Sequence, residues 1–190
     1  MLKIEATSFT ISEPVENLEV SAMIYDFATE EQKRILETMY NVKPFYVKTI
    51  TMERVFIDKL FAAEAYTRKS ADAHRAFEAA KHIYDLAVIS EHPKIISLLS
   101  TQVQLKKLLD IRITEELNRH DGIPNVLPSD FQFFTEVSTN SNIIKAYDVM
   151  QKQYVLRDSD QIEYAAAMKA LSKTYQRLRT NPAWRNYKPQ

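Results

Sequence analysis

The sequence predicts an α+β fold that is predominantly helical, with a short stretch of strand at the N-terminus and a helical bundle after it. Three observations carry this. Glycine occurs once in 190 residues, at Gly122, where average usage of ~7% would give about thirteen. Sheet-rich folds need many turn residues at positive φ, so they fit this composition poorly. Ala, Leu, Glu, Lys and Gln are abundant and favour helix. From about residue 52 onward the apolar residues recur at helical spacing, whereas only a few short segments before that alternate or are β-branched.

The elements follow in chain order. "LKIEATSFT" alternates with Leu2, Ile4 and Ala6 on one side and Lys3, Glu5 and Thr7 on the other, and reads as a strand. "ISEPVEN" is a turn-like break around Pro14, and "LEVSAMIYDFA" is ambiguous between strand and helix. "EEQKRILETMY" is a short helix, and "FYVKTIT" after Pro44 is a second strand. Thr51 is placed to cap the next helix, with Glu53 in its first turn. Helices are expected over 52–69, 73–90, 93–118, 137–155 and 159–179. Pro93 falls at the start of the third, where a missing N–H costs nothing. "HDGIPNVLPSDFQFF" is the one long loop, and "NPAWRNYKPQ" reads as a tail. The division is therefore 1–51, a partial α/β segment, and 52–190, a helical domain. Two strands some forty residues apart do not make a self-sufficient sheet, so they are expected to need partners.

Composition excludes several functions. There is no cysteine, and hence no thiolate metal site or thiol chemistry. One glycine cannot build a Walker loop or a dinucleotide fingerprint. Net charge is zero, which argues against a surface that grips nucleic acid everywhere but not against a local patch. No apolar run approaches the ~20 residues of a membrane span, and "MLKIEATSF" has no apolar signal-peptide region. A cytoplasmic protein is the default expectation.

The residues with chemistry in view are few. Lys59 lies inside the apolar stripe of "MERVFIDKLFAAEAY", with Val55, Ala62 and Tyr66 as its stripe neighbours. A lysine there usually lays its stem on the core and lifts its head to water; its functional alternative is a point charge for phosphate. Asp85, in "KHIYDL", shares a face with Glu78, Lys81 and His82. Its ordinary partner would be Lys81 at i−4; its functional one would be Lys59, with His82 tuning the site. Arg68 offers a further phosphate contact. The four histidines make no ligand cluster, so no metal site is expected from them. Asp158-x-Asp160 has the spacing by which two carboxylates share magnesium, but it sits where a helix N-cap is expected. After Glu163 the chain has no acidic residue, and Lys173, Arg177, Arg179 and Arg185 are interleaved with Tyr175, Trp184 and Tyr187. This suits a helix dipole or a base-stacking, phosphate-tracking RNA patch.

"LKIEATSF", "VKTITMERVFIDKLFAAEAY" and "KHIYDL" together resemble the AbiEii/AbiGii nucleotidyltransferase toxin family of bacteria. The resemblance rests on Glu5, on Phe56 with Lys59, and on Tyr84, Asp85 and Leu86. It implies that the N-terminal strands are the remnant of a nucleotidyltransferase-like sheet. It also implies transfer of a nucleotide from a nucleoside triphosphate to a hydroxyl, with a tRNA-like RNA among the candidate acceptors. Lys59 and Asp85, with Glu5 as a further acidic position, would be catalytic; Lys59, Arg68 and His82 would bind the nucleotide phosphates. The family's core contributes a glycine-containing loop and an Asp-x-Asp that holds magnesium, and this chain contains neither. The implied protein is the C-terminal part of such an enzyme, inactive without that core, with magnesium entering only alongside it. An antitoxin, an N-terminal half or a second copy are the implied partners, and abortive infection or phage defence the implied setting. The alternative is a non-catalytic helical module that works by binding a partner, which would show as an exposed apolar sheet face or edge.

Overall fold

The computed structural model describes residues 13–119 and 122–188. The alternating segment "LKIEATSFT", Glu5 included, lies outside the described residues. The chain divides into two compact units, one spanning Ser12–Thr51 and the other running from Met52 to the C-terminus.

The smaller unit contains β1 (Val15–Val20), α1 (Met23–Asp26), α2 (Glu30–Tyr40) and β2 (Phe45–Ile50). The ambiguous "LEVSAMIYDFA" is thus strand first and helix second. The strand already begins at Val15, within the segment expected to be a turn. β1 and β2 pair antiparallel, from Val15 opposite Ile50 to Val20 opposite Phe45. The partner of β2 is therefore local, contrary to the expectation of one from elsewhere. Thr29 starts α2 with a capping box, its hydroxyl accepting from Gln32 N while the Gln32 side chain accepts from Thr29 N. Asn41 ends it in the left-handed region at φ 53°, which Asn tolerates better than most residues. No described side chain of this unit reaches full burial.

The larger unit is helical among its described residues. α3 (Met52–Thr67) packs against α4 (Ala73–Ile89), and α4 against α8 (Ser141–Tyr154) and α9 (Tyr164–Thr180). α5 (Pro93–Ser100), α6 (Gln102–Glu116), α7 (Phe133–Glu136) and α10 (Pro182–Arg185) complete it. Asp72 caps α4 by accepting from Arg75 N at 2.9 Å, and Asn140 caps α8. The core is built from Phe56, Leu60, Ile83, Leu98, Leu109, Tyr147 and Trp184 with their neighbours.

Three expectations about this unit change. The predicted 93–118 helix breaks at Thr101, because the last carbonyls of α5 are satisfied from the side. The Ser100 and Thr101 hydroxyls donate to Ile96 O and Ser97 O, and Asn181 Nδ2 donates to Leu99 O at 2.9 Å. The helix expected from 159 starts at Tyr164, since Asp158–Asp160 form a 3-10 turn and Gln151 Oε1 accepts from Ile162 N. The "tail" is folded. Asn181 caps α10, Trp184 is 1% exposed and meets Phe131 edge-on at 5.2 Å, and the Tyr187 hydroxyl donates to Asp110 at 2.7 Å. The one glycine is required by close approach: a Cβ at Gly122 would stand 2.5 Å from the backbone oxygen of Glu116.

Candidate functional site

α3 and α4 bring Lys59 and Asp85 face to face. Lys59 lies in the same stripe as Val55, Ala62 and Tyr66, and its position on the α4 side carries its amine across the seam. Nζ donates to Asp85 Oδ2 at 2.5 Å, with the two side chains 26% and 16% exposed. The Tyr154 hydroxyl, from α8, stands 3.5 Å from both carboxylate oxygens. Lys81, the ordinary partner of Asp85, turns instead to Glu78 at 3.1 Å and lies over the Tyr154 ring. Asp85 is thus held by a residue 26 positions away rather than by its helical neighbour. Chemically this is an ammonium held by a partly buried carboxylate.

His82 stacks on Tyr66, with ring centroids 5.5 Å apart and planes 12° from parallel. Burial, followed by the positive charges of Lys59, Lys81, Arg119 and Arg112, pushes its pKa down to about 3. The imidazole is therefore neutral at physiological pH. A phosphate contact from it would be a hydrogen bond rather than an ion pair. Its Nδ1 is buried without a hydrogen-bond partner.

Arg68 is not brought to Lys59. Arg68 follows the last residue of α3 and finds its partners elsewhere. Arg68 donates to Glu64 at 2.6 Å and to Asp130 O at 3.1 Å. Glu64 in turn accepts from Gln132 N and Phe133 N, both at 2.8 Å. This group anchors the loop that enters α7, so Arg68 is occupied as a brace.

The basic C-terminal residues divide into two sets, because Arg177 and Arg179 lie on different faces of α9. Lys173 and Arg177 both reach Glu91, at 3.0 and 3.4 Å. Arg179 lies over the Tyr175 ring, and with Arg185, Ser129 and Trp184 it lines a surface groove of about 380 Å³.

The donor set of the described residues does not fit the magnesium that the resemblance implies. Among them no group of three or more His, Asp or Glu could hold an ion. Asp158 accepts from Gln161 Nε2, and Asp160 from the Ser159 hydroxyl, within one exposed turn. The backbone oxygen of Asp160 accepts from the Tyr84 hydroxyl at 2.8 Å, which makes the turn a packing feature.

Sequence reasoning missed a buried ionic cluster between α3 and α6. Arg54 bonds to Asp58 at 2.9 Å and to Glu115; Arg112 bonds to Glu115 at 3.2 Å and to Glu116, with Asp58 at 3.6 Å. Burial raises the Asp58 carboxyl and lowers the Arg112 guanidinium, each against the pull of its oppositely charged partners. Arg54–Asp58 and Arg112–Glu116 read in sequence as ordinary i, i+4 surface pairs. The available signal was that Arg54 shares a stripe with Ile57 and Phe61.

A family model described as "Nucleotidyl transferase AbiEii toxin, Type IV TA system" matches residues 2–185, nearly the whole chain. No curated protein and no solved structure gives a significant match.

Proposed function

Since the chain belongs to the AbiEii nucleotidyl transferase toxin family, we propose that it carries the phosphate-handling part of a nucleotidyltransferase, with Lys59 as the phosphate contact and Asp85 as the residue that positions it. The observation that carries this reading is the 2.5 Å bond between them across the α3–α4 seam. In the reaction the acceptor hydroxyl oxygen bonds to the α-phosphorus of a nucleoside triphosphate. The α–β anhydride bond breaks, pyrophosphate leaves, and the hydroxyl loses its proton to solvent or a base. Negative charge moves onto the departing pyrophosphate, where a fixed ammonium stabilises it more than it stabilises the bound triphosphate. Asp85 keeps Lys59 in place so that no reorganisation is needed as that charge develops.

The reading includes a division of labour, supported by the absence among the described residues of a group of three or more His, Asp or Glu that could hold an ion. The Asp-x-Asp core, and magnesium with it, comes from protein other than these residues, and the chain alone binds nucleotide without transferring it. Glu5 is retained as a further acidic position of the site. The acceptor is an RNA hydroxyl of tRNA type, with Arg179 and Arg185 as its phosphate contacts. An antitoxin is the partner that the family suggests, and a cytoplasmic phage-defence role follows from it. Among the described residues no helix is long and apolar enough to cross a membrane.

The test is titration of nucleoside triphosphates into the full chain. Binding is expected, weakened at least tenfold in Lys59→Met and in Asp85→Asn and partly restored in Asp85→Glu. Equal affinity in all four proteins would remove the reading. Transfer to RNA by the chain alone with magnesium would overturn the division of labour.

A second reading, action by partner binding, is favoured by one observation. In the Ser12–Thr51 unit Met23, Ile24, Phe27 and Ile35 line an open apolar groove of about 450 Å³ and are themselves 44–78% exposed. Its test is the oligomeric state in solution: a clean monomer at high concentration with no dye-accessible apolar patch excludes it.

A further inference from the structure

The Ser12–Thr51 unit leaves its apolar residues uncovered. Met23, Ile24 and Phe27, in α1 and just after it, face Ile35 and Leu36 of α2 across an open groove of about 450 Å³. The two walls are tied together, since the Tyr25 hydroxyl donates to Glu37 at 2.5 Å. The capping box at Thr29 and the left-handed Asn41 satisfy both ends of α2, so its apolar side is held in one orientation. Met39 and Tyr40 stand four residues on from Ile35 and Leu36 and extend the same stripe beyond the groove. Met23, Ile24, Phe27, Ile35, Met39 and Tyr40 are 44–78% exposed. The sheet does not cover them: its own apolar face, with Leu18 opposite Val47 and Val20 opposite Phe45, is 38–56% exposed.

The area is that of an interface. Taking roughly 150–200 Å² for a fully exposed side chain of this size, those six residues expose about 600–800 Å². The largest apolar patch on a typical monomer is ~300–600 Å². One side of a standard dimer interface buries ~800 Å², about 60% of it apolar. The stripe therefore supplies the apolar area that a stable dimer requires of each partner.

Two features select a second copy as that partner. The unit carries both halves of a complementary contact, an open groove and, beside it, an apolar ridge at Met39 and Tyr40. A twofold axis sets the ridge of each copy into the groove of the other, so both are filled at once. The charges on these helices are also of mixed sign, Asp26, Glu30, Glu31 and Glu37 with Lys33 and Arg34. Such a rim suits its own counterpart and offers no single-sign field to a nucleic acid or an anionic membrane.

We propose that this face of the Ser12–Thr51 unit is the interface of a twofold homodimer, with Met39 and Tyr40 of each copy seated against Met23, Ile24, Phe27 and Ile35 of the other. It rests on the partner-binding reading, names the partner as a second copy, and is independent of phosphate handling at Lys59.

The experiment is sedimentation velocity on the full chain at concentrations up to about 100 μM, above the weak end of what a standard-size interface gives. A concentration-dependent dimer is expected. Ile24→Glu and Phe27→Glu should weaken it at least tenfold, while Val103→Glu, at an 81% exposed position on α6, should leave it unchanged. Circular dichroism confirms that each variant is folded. The chain has no cysteine of its own, so a mixture of Ile35→Cys and Met39→Cys chains reports the contact directly: mild oxidation should link the two into a disulfide-bonded pair. A dimer that survives both glutamate variants, or that forms no such cross-link, would overturn this interface. A monomer at every concentration that still exposes a dye-accessible apolar patch would overturn the dimer and leave the partner-binding reading standing. A monomer without such a patch would remove both.

Discussion

Lys59 illustrates what a single side chain in an apolar stripe can mean. The sequence offers two fates for it, a head lifted to water or a point charge for phosphate, and in the structure its head pairs with Asp85. The same seam makes His82 a pH-dependent liability. Its folded pKa is depressed to about 3 from an ordinary 6.5, so the unfolded chain binds a proton in that interval that the folded chain refuses. Stability is therefore fully present above about pH 6.5 and falls as pH drops through that window, by up to ~1.4 kcal/mol per pH unit for one proton. Asp58, whose carboxyl burial raises, works in the opposite direction at the acid end. Denaturant unfolding at several pH values is expected to show this slope in the wild type and a flatter one in His82→Gln. Equal slopes would mean that His82 charges freely in the folded state.

At the scale of elements, the joints matter more than the helices. Glu64 accepts two backbone N–H groups of the loop entering α7 and pairs with Arg68. Glu64→Ala leaves those two donors without an acceptor and is expected to cost about 2–6 kcal/mol, from ~1–3 for each. Trp184 closes the far end of the core against Phe131, and Trp184→Ala is expected to cost about 3–5 kcal/mol; both changes are read from urea midpoints. Trp184 also shows why legibility differed along the chain. The helices over 52–69 and 73–90 were legible because Phe56, Leu60, Ile83 and Ala87 repeat at helical spacing. "NPAWRNYKPQ" was not, because a one-turn helix has no period and its fate is decided by a tertiary contact. The break at Thr101 was equally hidden, since it depends on Asn181, which is distant in sequence.

For the whole molecule, the family and the helical character were readable from short motifs and from the scarcity of glycine. The pairing of Lys59 with Asp85 was inferred from the motifs and is present in the geometry. The buried cluster of Arg54 and Arg112 was not foreseen, because i, i+4 charge pairs look alike whether a second helix covers them or not. Arg68 shows the same limit: its nearness in sequence to Lys59 did not reveal that its side chain pairs with Glu64 and reaches Asp130 O. The Ser12–Thr51 unit has no fully buried described side chain, and isolated hairpins of that size are marginal in water. Expressed by itself, residues 12–51 are expected to show no cooperative thermal transition; a sharp two-state melt would contradict that.

The most direct test of the central claim is the affinity of the full chain for a nucleoside triphosphate as a function of the Lys59–Asp85 pair, read by calorimetry. The expected result is measurable binding in the wild type, a loss of at least tenfold in Lys59→Met and in Asp85→Asn, and a double variant no weaker than the worse single one, since the two residues act as a unit. Binding in Lys59→Met indistinguishable from wild type, in a protein shown to be folded, would contradict it.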